Sequence, residues 1–279
     1  MAIFILMALR DSCIAILILV LPLNLAGQTG HAEAGAQAYG MANASSTLSG
    51  EWSMMQNPAG ISACQRVAAF FSYQNIWGLE GFGRAASGIV LPIGFGNLGA
   101  GLSRFGDELY SEQMMSLAFA NKVGFVRLGA RLNYLQVRAE GFGSKGVLTG
   151  DFGGIVELLP RVIFGAQISN FAGAELISGT GQSIPVIMKT GISYRASESM
   201  MVNMDLVVED MDLAYIRTGF QYAIYESVRL RAGFETLTRG YFAGAGFRKP
   251  RFELDYALGY NYYLGYSQQA SFTLLLGEQ

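Results

Sequence analysis

Histidine is almost absent from this chain, cysteine and proline are rare, and charge is thin throughout. One histidine and two cysteines in 279 residues exclude most of the nucleophile–base pairs and transition-metal sites that enzymes build from these residues. The histidine, His31, stands in an irregular segment remote in sequence from every candidate strand. No catalytic site, metal or cofactor is therefore expected. Charged residues make up 14% of the chain, against roughly 25% in an average soluble domain, so something other than water must cover much of the surface. A net charge of −2 leaves no basic face for nucleic acid. Although 51% of the residues are hydrophobic, no apolar run beyond residue 26 approaches the ~20 residues of a membrane-spanning helix.

What is present instead is alternation. In residues 251–260, RFELDYALGY, the side chains of Phe252, Leu254, Tyr256, Leu258 and Tyr260 share one face of an extended strand. Arg251, Glu253, Asp255, Ala257 and Gly259 share the other, because successive side chains point to opposite faces. The same split recurs in residues 228–235 and 214–224. An all-apolar face beside one that mixes small residues with charges of both signs fits a barrel wall between lipid and a narrow wet lumen. Fourteen segments read this way: 66–74, 84–93, 97–105, 113–121, 126–138, 147–158, 162–171, 185–195, 200–209, 214–224, 228–237, 241–248, 251–262 and 268–276. Most are near the roughly 9–11 residues of a tilted membrane strand. The predicted fold class is all-β, a transmembrane antiparallel β-barrel of about 14 strands over residues 66–279. Roomier connections at 75–83, 106–112, 139–146 and 172–184 alternate with tight ones at 94–96, 160–161, 196–199 and 225–227, as expected for external loops and periplasmic turns.

Ahead of the strands, Arg10, the apolar run 13–23 and the small residues Ala26 and Gly27 read as a secretory signal peptide over residues 1–26. Export to the cell outer membrane follows as the expected localisation. Residues 27–65 are rich in Gly, Ala, Ser and Asn and carry no strand alternation; they are expected to form a short plug or hatch. Near their end stands Asn57-Pro58-Ala59-Gly60, a turn signal whose plainer reading is a bend before the first strand.

The inward face carries the remaining chemistry. Alternation places Arg127, Arg131, Arg217, Arg229, Arg231, Glu235, Arg248, Glu253 and Asp255 in the lumen, along with Lys189, Arg195, Asp205, Glu209 and Arg251. Their mixed signs favour a structural salt-bridge lattice over an ion-selective ring. Glu209, Asp210 and Asp212 read as a solvated acidic turn in preference to a Ca²⁺ site.

From GMA at 40–42 through NPAGI at 57–61 and on along the strands to Leu276, the chain resembles the PorV/PorQ outer-membrane proteins of Bacteroidota and, more distantly, the FadL long-chain fatty-acid transporters. The resemblance implies a non-enzymatic, 14-stranded barrel with an N-terminal hatch. For PorV it implies an accessory of type IX protein secretion, whose partners are the secretion translocon or other outer-membrane proteins, besides outer-membrane lipid. The FadL-like alternative implies transport of a hydrophobic small molecule through a hatch and a lateral exit. It would need an apolar pocket beneath the hatch, to which Met54, Met55, Ile61 and Phe70 could contribute.

Overall fold

The computed structural model describes residues 33–177 and 182–277. The expected signal peptide and His31 lie outside the described residues. The alternating segments become β1 (Val67–Asn75), β2 (Gly83–Ile93), β3 (Gly96–Gly106), β4 (Tyr110–Val123), β5 (Val126–Ala139), β6 (Gly143–Leu159) and β7 (Val162–Ser169). After a short hairpin, β8 (Glu175–Ile177) and β9 (Gln182–Ser183), they continue as β10 (Ile187–Arg195), β11 (Met200–Glu209), β12 (Leu213–Tyr225), β13 (Val228–Glu235), β14 (Gly240–Arg248), β15 (Phe252–Asn261) and β16 (Gly265–Leu276). Neighbours pair antiparallel, β7 joins β10 directly, and β1 closes on β16 from Val67 opposite Leu276 to Asn75 opposite Gln268. The result is a closed barrel of 14 strands, with β8–β9 a separate ribbon inside one connection.

Burial decides which side of the wall is which. On β15 the side chains of Leu254, Tyr256 and Leu258 are 43–47% exposed, whereas Glu253, Asp255 and Ala257 are 0–5% exposed. The apolar face is thus the outer face, and the charged face is the protein interior. Aromatics mark both rims, with Phe95, Phe125 and Tyr225 at the tight turns and Phe171, Tyr262, Tyr263 and Tyr266 at the loop end, the positions of interfacial girdles.

Strands β4, β5 and β6 run 14, 14 and 17 residues, longer than alternation alone suggested. The connections at 106–112 and 139–146 carry on the ladder, with Gly106 opposite Ser111 and Ala139 opposite Gly143. Backbone groups paired across a ladder stay extended beyond the hydrocarbon layer, so these loops shrink to three residues each.

The lumen is filled by the chain ahead of β1. A one-turn helix α1 (Ala36–Tyr39) is followed by a winding segment and by two 3₁₀ turns, Glu51–Met55 and Pro58–Ala63. Its apolar residues Ala36, Ala38, Met41, Met54, Ala59 and Ile61 are completely buried.

Candidate functional site: the plugged lumen

The plug seats where the wall has no side chains. Inward-facing glycines stand opposite one another across three strand pairs: Gly129 with Gly153, Gly165 with Gly191, and Gly219 with Gly233. A Cβ on Gly129 would strike Pro58 and Ala59, one on Gly153 would strike Asn57, one on Gly165 the Ser46 backbone, and one on Gly219 or Gly233 Met41. Close approach of two backbones requires glycine, and a girdle of it fixes how deep the plug sits.

Polar contacts then hold the plug in register. Asp205 on β11 accepts the Ser46 hydroxyl at 2.6 Å and the backbone N–H groups of Ser45 and Ser46 at 2.8 and 2.9 Å. Glu33 takes an ion pair from Arg217 at 2.8 Å and another from Lys189. Trp52 Nε1 donates to Thr273 at 2.9 Å, Asn203 Nδ2 to the Ala44 carbonyl at 2.9 Å and Asn97 Nδ2 to the Cys64 carbonyl at 2.7 Å. Asn57 opens the second 3₁₀ turn: its Oδ1 accepts from the Ala59 N–H at 3.1 Å while its Nδ2 donates to the Ser46 carbonyl at 2.6 Å. Pro58 sits at the first position of that turn, where no backbone donor is needed. Asn57, Pro58, Ala59 and Gly60 are all buried, so this motif is a wedge inside the barrel as well as the approach to β1.

Most of the inward charges gather into three groups; outside them stand Arg84 on β2 and Glu112 on β4, the latter accepting the Tyr110 hydroxyl at 2.6 Å. Arg131 on β5 pairs with Asp151, its register partner on β6, which also accepts from Asn133 at 2.9 Å and from the Asn170 N–H at 2.9 Å. Arg217 on β12 pairs with its register partner Glu235 at 2.8 Å and with Glu33, beside Tyr215, whose hydroxyl donates to Glu209 at 2.6 Å. On β13–β15, Arg231 reaches over β14 to Asp255, while Glu253 accepts Arg248 at 2.7 Å and Arg229 at 3.4 Å. A Cβ on Gly246 would collide with both Asp255 and Arg231, so this glycine is what lets the pair bridge a strand. Arg127 stands apart from the ion pairs and donates to Ser49 Oγ at 3.0 Å. Alternation also placed Lys189, Asp205 and Glu209 inward, but Glu33 had no signal because the plug has no periodicity. The acidic turn splits: Asp210 accepts from the Val186 N–H at 2.8 Å while Glu209 points inward, and no acidic cluster suited to a metal occurs among the described residues.

The larger apolar clusters lie toward β1–β5, while smaller ones, such as Ile187 with Val207 and Tyr215, line the β10–β15 side. Trp52, Met54, Met55 and Ile61 from the plug pack on Phe70, Val90, Ala118 and Ala120 of β1, β2 and β4. Met54, Met55, Ile61 and Phe70, expected to border a pocket, instead fill this cluster, each at most 4% exposed. Nearer the loops, Met114, Leu135 and Val137 of β4 and β5 form a second cluster with Ile184, flanked by Tyr110, Val147 and Leu176. In the barrel wall β1 to β5 pair without interruption, the β6–β7 ladder stops at Phe152 opposite Ile168 so that residues 143–151 have register partners on β5 alone, and register shifts at Glu157/Leu159 and Ala223/Tyr225 lie at the tight-turn end.

At the tight-turn end a vestibule of about 970 Å³ opens between the plug and β10–β15, bordered by Ser49, Glu51, Gln56, Arg195, Arg229 and Glu253. Burial, above all, raises the Glu51 pKa. Burial likewise pushes the Cys64 thiol up to about 12, with Glu51 adding to the effect.

These features define a class: a 14-stranded barrel, apolar outside, whose lumen is closed by its own N-terminal segment. No protein-family model and no curated protein matches the sequence. Solved structures do match in fold. The CymD monoaromatic hydrocarbon channel aligns with a TM-score of 0.67 at 15% identity, over 88% of this chain and 98% of that one. The Pseudomonas putida toluene transporter TodX aligns at 0.65 and 11% identity over 88% and 98%, and a Pseudomonas aeruginosa FadL homologue at 0.60 and 12% over 85% and 97%.

Proposed function

We propose that the chain is an outer-membrane barrel that admits small hydrophobic molecules, in the manner of the hydrocarbon channels whose fold it shares. The observation that carries this reading is the pair of apolar clusters on the inner face of β1–β5. The charged groups of β10–β15 are tied to one another and to the plug, whereas β4 presents Met114 to one apolar cluster and Ala118 and Ala120 to another, on either side of the hydrogen bond that Ser116 donates to Asn133 at 2.7 Å. Paired charges of both signs do not make an ion-selective ring. An apolar solute would be taken up at Met114, Leu135 and Val137, past Ile184, and passed toward the Trp52–Phe70 cluster by rearrangement of flexible methionine side chains. The neighbours give no support to the secretion-accessory role that the PorV/PorQ resemblance implies.

The test is entry of labelled toluene into cells with an intact outer membrane, with and without the assembled chain. Faster, saturable entry is expected. Unchanged entry, together with recovery of secretion components alongside the protein from native membranes, would favour the accessory role.

A further inference from the structure

On the lipid-facing side of β2–β5, two neighbouring rows of outward side chains differ in kind. The row nearer the loops runs Ala85, Arg104, Gln113, Gln136 in successive cross-strand register. The next row toward the middle runs Ser87, Leu102, Met115, Tyr134. Because Ala85 and Ser87 are small, the wall is recessed between Phe71 and Leu102, leaving a groove of about 300 Å³. Among the described residues, Arg104, Gln113 and Gln136 find no hydrogen-bond or ion-pair partner in the protein, although Arg104 and Gln113 are exposed on a face otherwise given to lipid.

An outward arginine is costly at the bilayer midplane and costs little near the interface, and Arg104 stands three residues from the loop at Asp107. That is headgroup depth. A guanidinium there presents a planar fork that matches a phosphate bidentately, and the carboxamides of Gln113 and Gln136, next along the row on one side, add N–H donors. Directly below, Leu102, Met115 and Phe71 offer an apolar wall beside the recess.

From this juxtaposition we propose that the groove is a binding site for a phosphorylated membrane lipid, with its phosphate on Arg104, Gln113 and Gln136 and an acyl chain in the recess at Ala85 and Ser87. The site rests on the barrel's being embedded in a membrane and not on what passes through it. The occupant is a lipid and not a free anion, because the donors sit at the top of an apolar groove.

The full-length protein in detergent would be titrated with lipid A, with dephosphorylated lipid A and with inorganic phosphate, and bound copies counted by native mass spectrometry. Lipid A should bind, and its dephosphorylated form and inorganic phosphate should bind at least about tenfold more weakly, the scale of one lost charge-assisted contact. Arg104→Gln should weaken lipid A by about the same factor, and Ser87→Phe, which fills the recess, should weaken it with Arg104 intact. Both changes face lipid, and heat-modifiable mobility would verify the barrel. If Arg104→Gln fails to assemble, the Gln113→Ala/Gln136→Ala double variant takes its place and should also bind lipid A more weakly. Equal binding of lipid A and its dephosphorylated form, equal binding of inorganic phosphate, or wild-type affinity in the assembled variants would overturn the site.

Discussion

Asp205 holds Ser46 by both its backbone and its side chain, with one carboxylate oxygen on the Ser46 hydroxyl at 2.6 Å and the other on its N–H at 2.9 Å. The carboxylate belongs to the wall and the serine to the plug, and both are buried. Asp205→Ala would leave three buried donors without that acceptor, at about 1–3 kcal/mol for each one not re-satisfied. The variant should unfold in detergent at clearly lower denaturant than the parent, and Asp205→Asn, which keeps one acceptor oxygen, should fall between them. Equal midpoints for all three would mean that the plug is held elsewhere.

The girdle makes a second expectation. Gly129→Leu puts a side chain where Pro58 and Ala59 now lie, so the wedge must lift and loosen the segment that leads to Cys64. In the parent the half-buried Cys64 thiol has its pKa pushed up to about 12, chiefly by burial. It should therefore react slowly with a maleimide at about pH 8, since the thiolate is the nucleophile. The variant should label faster while still running as a folded barrel. An unchanged labelling rate would show that the wall yields instead of the plug.

A third concerns the charges of β13–β15. Glu253 accepts from Arg229 and Arg248 and lies 3.8 Å from Arg231, so Glu253→Ala strands guanidinium groups in the lumen. Arg248 is 43% exposed and Arg229 borders the vestibule, so the expected loss lies between the ~0–1 kcal/mol of a surface pair and the roughly 3–5 kcal/mol of a broken buried one, without any gain of steady ion conductance, because the plug remains. Leu230→Arg, on the outer face only three residues past the tight turn at 226–227, should cost well under the roughly 2–4 kcal/mol of an arginine at the midplane. Unfolding titrations in detergent, beside planar-bilayer recordings, decide both. A stable Glu253→Ala variant in a parent that already conducts would make the lumen an open path.

The strand pattern was legible because period-two alternation survives through most of the length of the barrel strands, and it put Arg231 and Asp255 on one face with glycines between them. Pairing partners depend on register, which no single strand records. Asp151 shares the inner face of its strand with Thr149 and Gly153, yet its place opposite Arg131 follows only from where β5 and β6 turn. The plug was harder still. Ser46 and Glu33 meet their partners from 159 and 184 residues away, through a segment whose path is set by the glycines of the wall and not by any repeat of its own.

Acidity should act through Glu51. Burial chiefly, with the Glu253 and Asp255 carboxylates behind it, raises its pKa; its own backbone N–H and Arg248 act the other way. A carboxyl whose folded pKa is raised binds its proton more tightly when folded. Its contribution is therefore intact below the unfolded value of about 4.3 and is lost as pH rises to the folded value, above which the penalty is constant. Glu51→Gln should remove that loss. Its stability advantage over the parent should grow with pH through this window and then level off, whereas an advantage independent of pH would contradict the assignment.

The most direct test of an apolar path through a plugged barrel is toluene entry into cells carrying the parent or Leu135→Asn. Leu135 is buried in the apolar cluster near the loops, four residues along the inner face of β5 from Arg131, which donates to the plug's Met54 carbonyl. The parent should speed entry, and Leu135→Asn, assembled to the same level, should lose most of that gain. Entry equally fast with Leu135→Asn, or no faster with the parent than with empty cells, would contradict it.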